Sequence, residues 1–362
     1  MGFYFPVVAF SLFYFFCFVF IEGGKAKLHK SLLIFALTVL TFLIGFRNGW
    51  PDQLVYEIAF LRVPDVFNFD FYEQPFGYVE KGYSFLASIV KTIYDNSTFY
   101  FLTMGGLSMW LLYKSLTKYC YIPLIGLCDY IARFLLNRDF IQMRSSLAIL
   151  LIIFATKYVY ERKIWHYFGI ILLAYQFHHL SLLAIPFYFM SYIKFKKWHI
   201  LAGLLFAAIA SQTIANYITG WVENYSDDLQ YTTYTQGSYV SRALGLSNPM
   251  ILFQSILLLL FTYSEKDLKP FDKYYYIYRT GYFYSTLILI FFCNYTALSG
   301  RTSTVFATLE MFMIPLMSRM FARKNRLLYY TGIGLFFIYF FFSKYSQEMA
   351  HMKDNLFLNT LD

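Results

Sequence analysis

Long apolar runs follow one another along this chain, separated by short polar breaks. They fall near 3–21, 31–46, 98–116, 121–137, 143–158, 164–178, 180–193, 199–219, 249–263, 275–297, 303–320 and 327–343. Within each run the apolar residues are continuous rather than alternating, which fits helices apolar on all sides and not barrel strands. Crossing a bilayer takes about 20 mostly apolar residues in a helix. The pattern predicts an all-α, polytopic integral membrane protein with about 11–12 transmembrane helices. The runs 164–178 and 180–193 are short, and they read either as two spans or as a broken, re-entrant hairpin.

Composition supports this. The 362 residues are 59% hydrophobic, 23% aromatic and only 14% charged. A soluble chain carries about 25% charged residues, so a soluble enzyme, a disordered tail and a secreted disulfide scaffold are excluded. The net charge of +9 does not imply nucleic acid, because basic residues in membrane proteins gather in cytoplasmic loops. Here they do: Lys25, Lys27 and Lys30, then Lys114 and Lys118, then Lys157, Arg162 and Lys163, follow alternate runs. The alternation continues with Lys194, Lys196 and Lys197, with Lys266, Lys269 and Lys273, and with Arg319, Arg323, Lys324 and Arg326. The positive-inside rule then puts the N-terminus outside. Met1 to Ile21 lacks a basic leader and a small-residue cleavage site, so it reads as the first span rather than a signal peptide. Cys17, Cys120, Cys128 and Cys293 lack metal or redox spacing and read as apolar filler.

The chain reads as one transmembrane domain, 1–362, with two long connections, 47–97 and 220–248, both on the outer side. The first holds Asp52, Glu57, Asp65, Asp70, Glu73, Glu80 and Asp95 among many rings, including Trp50, Phe67, Phe69, Phe71, Tyr72, Phe76, Tyr78 and Tyr83. Such richness in aromatics argues against disorder. Rings with interspersed carboxylates suit sugars, whose C–H faces stack while their hydroxyls hydrogen-bond. For any single ring an interfacial aromatic belt is the simpler reading. The second connection is rich in Tyr, Thr, Ser and Asp.

Charges at membrane depth or at its outer rim are expensive and point to function. Arg47, Arg144 and Arg301 all fall on the outer side, where the positive-inside rule does not account for them; Arg133, Arg138 and Arg242 are weaker members of the set. An arginine fork suits a diphosphate, and a nearby helix N-terminus adds a favourable dipole. Snorkelling, or pairing with loop carboxylates, is the plainer alternative. His178 and His179, beside Ser181, offer a proton acceptor or a hold on a diphosphate. Glu310 lies within an apolar run with no partner evident from sequence. Nucleophile-elbow, zinc, P-loop and dinucleotide motifs are absent from the sequence, so no cofactor or metal is expected.

Taken in order, these pieces resemble the EpsG-like branch of Wzy-type bacterial polysaccharide polymerases. The resembling residues are Arg47-x-x-x-x-Asp52-x-x-x-Tyr56, Glu80-Lys81-Gly82-Tyr83, Arg144-Ser-Ser-Leu-Ala148, Phe177-His-His-Leu-Ser181, and Arg301 before a run containing Ile314-Pro315. They span residues 47–315. Trp50-Pro51 departs from the family, where small residues usually precede the aspartate, and the doubled histidine leaves His178 and His179 both open, with His179-x-Ser181 fitting better.

The resemblance implies a GT-C-type fold in the bacterial inner membrane with its active site on the periplasmic face. It implies transfer of a growing glycan from undecaprenyl diphosphate to a lipid-linked repeat unit, without a nucleotide sugar. Its partners would be the undecaprenyl-diphosphate-linked oligosaccharide, membrane lipids and, as a further candidate, a chain-length regulator. On this reading Arg47, Arg144 and Arg301 face the diphosphate, with Tyr56, Tyr83 and His178 lining the substrate. Glu80 is the first choice for the base, and His179 and Asp52 are the alternatives. An O-antigen ligase, a lipid-linked glycan flippase and, more remotely, a membrane acyltransferase remain rival readings.

Overall fold

The computed structural model describes residues 8, 11–12, 26–72, 80–214, 217 and 244–358. Most of the run 3–21, most of the connection 220–248, and Glu73, Phe76, Tyr78 and Arg242 lie outside the described residues. Every regular element among the described residues is helical, so the all-α expectation holds.

The α-helices of five or more residues among the described residues are α1 (Ala26–Gly45), α2 (Gln53–Arg62), α3 (Lys81–Ile93), α4 (Ser97–Tyr119), α5 (Pro123–Tyr130), α6 (Met143–Phe154) and α7 (Thr156–Tyr160). They continue with α8 (Ile164–Tyr175), α9 (Ala184–Met190), α10 (Lys197–Ser211), α11 (Pro249–Tyr263), α12 (Tyr275–Phe291), α13 (Thr296–Ala307), α14 (Glu310–Met317) and α15 (Arg326–Leu358). Local chemistry sets several boundaries. The Asn96 side chain accepts from Phe99 N at 3.0 Å to start α4, and Asn248 accepts from Met250 N at 2.9 Å to start α11, with Pro249 following.

Where the sequence predicts unbroken spans, the structure often breaks them. Among the described residues two helices are long and apolar enough to cross a membrane, Met143–Tyr160 and Arg323–Ala350. Five shorter apolar helices, such as His29–Gly45 and Pro249–Tyr263, stand at predicted positions. The doubtful pair 164–193 is a broken segment: α8 stops at Tyr175, a 3₁₀ turn covers His179–Leu183, and α9 has only 7 residues. The run 303–320 is likewise divided between α13 and α14, and α14 carries Pro315 inside it, which removes one helical hydrogen bond. Outward faces stay apolar, with Leu205, Phe206 and Ile209 on α10, Leu252 and Ile256 on α11, and Leu328 and Leu335 on α15 all exposed. Such faces suit hydrocarbon better than water.

The connection 47–97 is itself structured. It contains α2, a 3₁₀ turn at Val66–Asn68 and α3. Asp65 caps the turn by accepting from Phe67 N at 2.9 Å and Asn68 N at 3.1 Å.

The chain divides into two compact units: residues 1–182 with 314–362, and residues 183–313. In the first, α1 packs along α4, and α4 along α6. A Cβ at Gly45 would collide with the Leu102 side chain, so only glycine allows that approach of α1 to α4. α5 runs into a π-helical turn, Ile131–Leu135, against which α15 packs. In the second unit α12 packs against α10, α11 and α13.

Candidate functional site

Arg47 stands just beyond the end of α1 and is only 3% exposed. Its Nη1 donates to the carbonyl oxygens of Asp139, at 3.0 Å, and Phe140, at 2.9 Å. Those carbonyls lie just past the last turn after the π segment, where a helix leaves its oxygens without internal partners. A cation there is also favoured by the helix dipole. The guanidinium sits over the Phe101 ring at 4.2 Å and near the Tyr56 ring at 5.9 Å. Its Nε and Nη2 are buried with no hydrogen-bond partner among the described residues. Burial lowers the Arg47 pKa, while Tyr83, Tyr56, Tyr100 and Glu57 act the other way.

Beneath this contact, Asp139 accepts from Tyr130 Oη at 2.7 Å and Ser146 Oγ at 2.7 Å. The carboxyl is buried, which raises its pKa against the opposing pull of Tyr130, Ser146, Arg138 and Ser108. Trp50, the departure from the family pattern, is buried against Phe140 with ring centroids 4.6 Å apart. Asp139 carries no role in the sequence reading, because a charged pair between two apolar runs looks like a simple turn. Its burial, invisible in sequence, is what sets it apart.

Arg144, in the first turn of α6, donates from Nη1 to Glu80 Oε2 at 2.5 Å. Glu80 occupies the N-cap position of α3 without capping it through its side chain. Tyr56 hydrogen-bonds Arg144; burial pushes its hydroxyl up, Asp52 pushes the same way, and Arg144 and Arg47 oppose. The Tyr83 ring lies 5.9 Å from the Arg144 guanidinium carbon, and the Tyr83 and Tyr100 hydroxyls share a hydrogen bond. Tyr56 thus stands between the two arginines.

The histidine turn meets the same helix start. Tyr83 N donates to Gln176 O at 3.1 Å, and a Cβ on Gly82 would lie 2.9 Å from Gln176 O and closer still to its side chain. His178 Nδ1 accepts from Leu180 N at 3.1 Å, and Ser181 Oγ donates to His178 O at 2.9 Å. His179 is exposed and stacks on Tyr175 at 4.9 Å. Ser181 is buried in a turn contact, which gives it no nucleophile's posture. Asp52 precedes α2 in a left-handed conformation (φ 59°), makes no capping hydrogen bond through its side chain and remains exposed.

The first unit therefore brings together Arg47, Arg144, Glu80, Tyr56 and Tyr83, with the His178–His179 turn against the start of α3. Arg301 is exposed on α13 in the second unit. Glu310, also in that unit, gains the partner that sequence could not name: it accepts from Tyr282 Oη at 2.9 Å. Among the described residues no group of three or more His, Cys, Asp or Glu is placed to hold a metal ion.

Two forked cations and a carboxylate, walled by tyrosines, suit a ligand that carries both phosphate and hydroxyl groups. A family model described as the EpsG family matches residues 30–357. The chain belongs to the EpsG family. No curated protein and no solved structure matches it. The match takes in every element of the first-unit cluster. EpsG membership, with the apolar helices, marks the chain as a membrane protein and supports a polysaccharide-polymerase-type role at the level of the family.

Proposed function

We propose that this protein polymerises undecaprenyl-diphosphate-linked oligosaccharide repeat units by glycosyl transfer on the outer face of the bacterial inner membrane. The observation that carries the reading is Arg47, whose Nε and Nη2 are buried without hydrogen-bond partners among the described residues while Nη1 is held by two carbonyls. A buried donor left unmatched costs about 1–3 kcal/mol. A fixed guanidinium with two unmatched donors is prepared for an oxyanion that arrives with the substrate.

In the proposed reaction an acceptor hydroxyl of the incoming repeat unit attacks the anomeric carbon of the glycan on its lipid carrier. The new glycosidic C–O bond forms as the bond to the diphosphate oxygen breaks. Arg47 and Arg144 stabilise the charge that collects on the departing lipid diphosphate. As the diphosphate draws Arg144 toward itself, Glu80 is released and takes the proton of the attacking hydroxyl. His179, exposed on the adjoining turn, is the second choice for that proton, and Asp52 the third. Tyr56, Tyr83 and His178 line the sugar and diphosphate path.

The test is reconstitution of the purified protein with its lipid-linked repeat unit, followed by gel separation of the glycans. A ladder spaced by one repeat unit, lost in Arg47→Ala, supports the reading. A folded Arg47→Ala protein that still builds the ladder removes Arg47 from the reaction. Substrate that crosses vesicles with no ladder makes the protein a transporter.

A further inference from the structure

The α4 helix reaches from Arg47's neighbour Phe101 to a second, separate basic site. Between Phe101 and Lys118 the helix rises by roughly 25 Å. At that end a cavity of about 410 Å³ is lined by Trp110, Lys114, Lys118 and Tyr119 from α4, and by Phe154 and Lys157 from the α6–α7 junction. Its frame is fixed: Tyr119 Oη donates to Phe154 O at 2.7 Å and accepts from Lys157 N at 3.0 Å, clamping the break between α6 and α7. Lys114 Nζ lies 5.7 Å from the Trp110 ring and Lys157 Nζ 4.7 Å from the Phe154 ring.

The cavity lining contains three lysines and no carboxylate. Glu161 lies within electrostatic reach of Lys118 and Lys157 but is bridged to Lys163 at 2.9 Å. The site therefore carries an excess of positive charge. Its walls are aromatic, and Trp110 is 52% exposed on the helix surface. Ammonium groups on long stems beside exposed rings match a phosphodiester whose other end is hydrocarbon. A free inorganic anion would have no use for the rings. These lysines also fall in connections that the alternation of basic residues puts on the cytoplasmic side, where anionic lipids give the surface its negative potential.

We infer that the cavity bounded by Lys114, Lys118, Lys157 and Trp110 binds the phosphate headgroup of an anionic inner-leaflet lipid, distinct from the outer diphosphate site. The inference rests on the chain lying in a bilayer and does not depend on the reaction proposed at Arg47.

The experiment places the full chain in phosphatidylcholine nanodiscs and follows tryptophan quenching by brominated phosphatidylglycerol, with brominated phosphatidylcholine as reference. Phosphatidylglycerol should give an added saturable component that disappears in Trp110→Phe. Lys118→Gln alone should weaken it several-fold, and Lys114→Gln, Lys118→Gln and Lys157→Gln together by roughly ten- to a hundredfold. The corresponding triple arginine variant should keep it, which separates charge from folding. Equal quenching by the two lipids, or a triple glutamine variant that behaves as wild type, would overturn the inference. So would displacement of the brominated lipid by inorganic phosphate, which would make this a site for soluble anions. None of these readouts involves glycan transfer, so failure here and failure of the polymerase reading are distinguishable.

Discussion

Arg144 and Glu80, 64 residues apart in sequence, meet through a 2.5 Å hydrogen bond from Nη1 to Oε2. Each is then the other's positioning device until substrate arrives. Glu80→Gln keeps the shape but weakens the pair and removes the proton acceptor. Chain extension should fall by about 10²–10⁴-fold. Extension that survives Glu80→Gln and is lost in His179→Gln would transfer the role to the histidine.

For Arg47, activity and stability should part company. Arg47→Met removes two unmatched buried donors along with two good hydrogen bonds to the Asp139 and Phe140 carbonyls. The opposing effects leave the thermal midpoint within a few degrees of wild type, since each is worth about 1–3 kcal/mol. Ladder formation should drop by about a hundredfold or more, in line with loss of a fixed charge donor at a leaving group. A large fall in midpoint with activity retained would show Arg47 to be a structural cap only.

Gly82 is where α3 and the histidine turn touch. An added methyl would lie 2.9 Å from Gln176 O and overlap the Gln176 side chain. Gly82→Ala must therefore part Glu80 from the turn, at about 1–3 kcal/mol of overpacking. Misplacing the acceptor groups by a fraction of an ångström should lower the rate about tenfold to a hundredfold. Gly106→Ala is the control, because its methyl would meet only Thr41, at 3.8 Å. Equal rates in the two variants would argue that the contact is incidental.

Asp272, between α11 and α12, has a carboxyl pushed up to about 6 by burial, against the opposing effects of Tyr274 N, Tyr278 and Lys273. The folded protein therefore holds this proton at pH values where the unfolded chain has lost it. Stability from this group falls as pH rises from about 4 to about 6 and is level beyond. Asp272→Asn keeps an oxygen for Tyr274 N, which Asp272 engages at 2.7 Å. Relative to that variant, the wild type should lose up to about 3 kcal/mol between pH 4 and 7, read as a falling thermal midpoint in detergent. A constant difference across the window would rule the titration out.

Helix existence was legible along most of the chain because apolar runs and caps announce it, as at Asn248-Pro249, where the run 249–263 coincides with α11. The break at Ala155 was not legible, since residues 143–160 hold no glycine or proline to mark it and the Tyr119 clamp comes from another helix. Likewise α2 and α3 lie inside a stretch that reads as an acidic, aromatic loop, because each is short. Arg47 and Arg144 stood out as charges beside apolar runs, and Glu80 through the resemblance carried by Glu80-Lys81-Gly82-Tyr83. Their convergence did not, because pairing across 64 residues has no local signal. Asp139 escaped notice entirely, for only burial separates it from an ordinary turn carboxylate.

The π-helical turn at Ile131–Leu135 amounts to one residue more than an α-helix would use. One residue is about 100° of rotation. The carbonyls of Asp139 and Phe140 therefore reach Arg47 from a helix whose phase has been advanced by a single insertion. Whatever lies beyond the turn faces a different azimuth from the one the residues before it would dictate, and α15 packs against the turn itself. The direction in which this arginine aims is in that sense a property of chain counting: a site set by how many residues precede it, as much as by which residues they are.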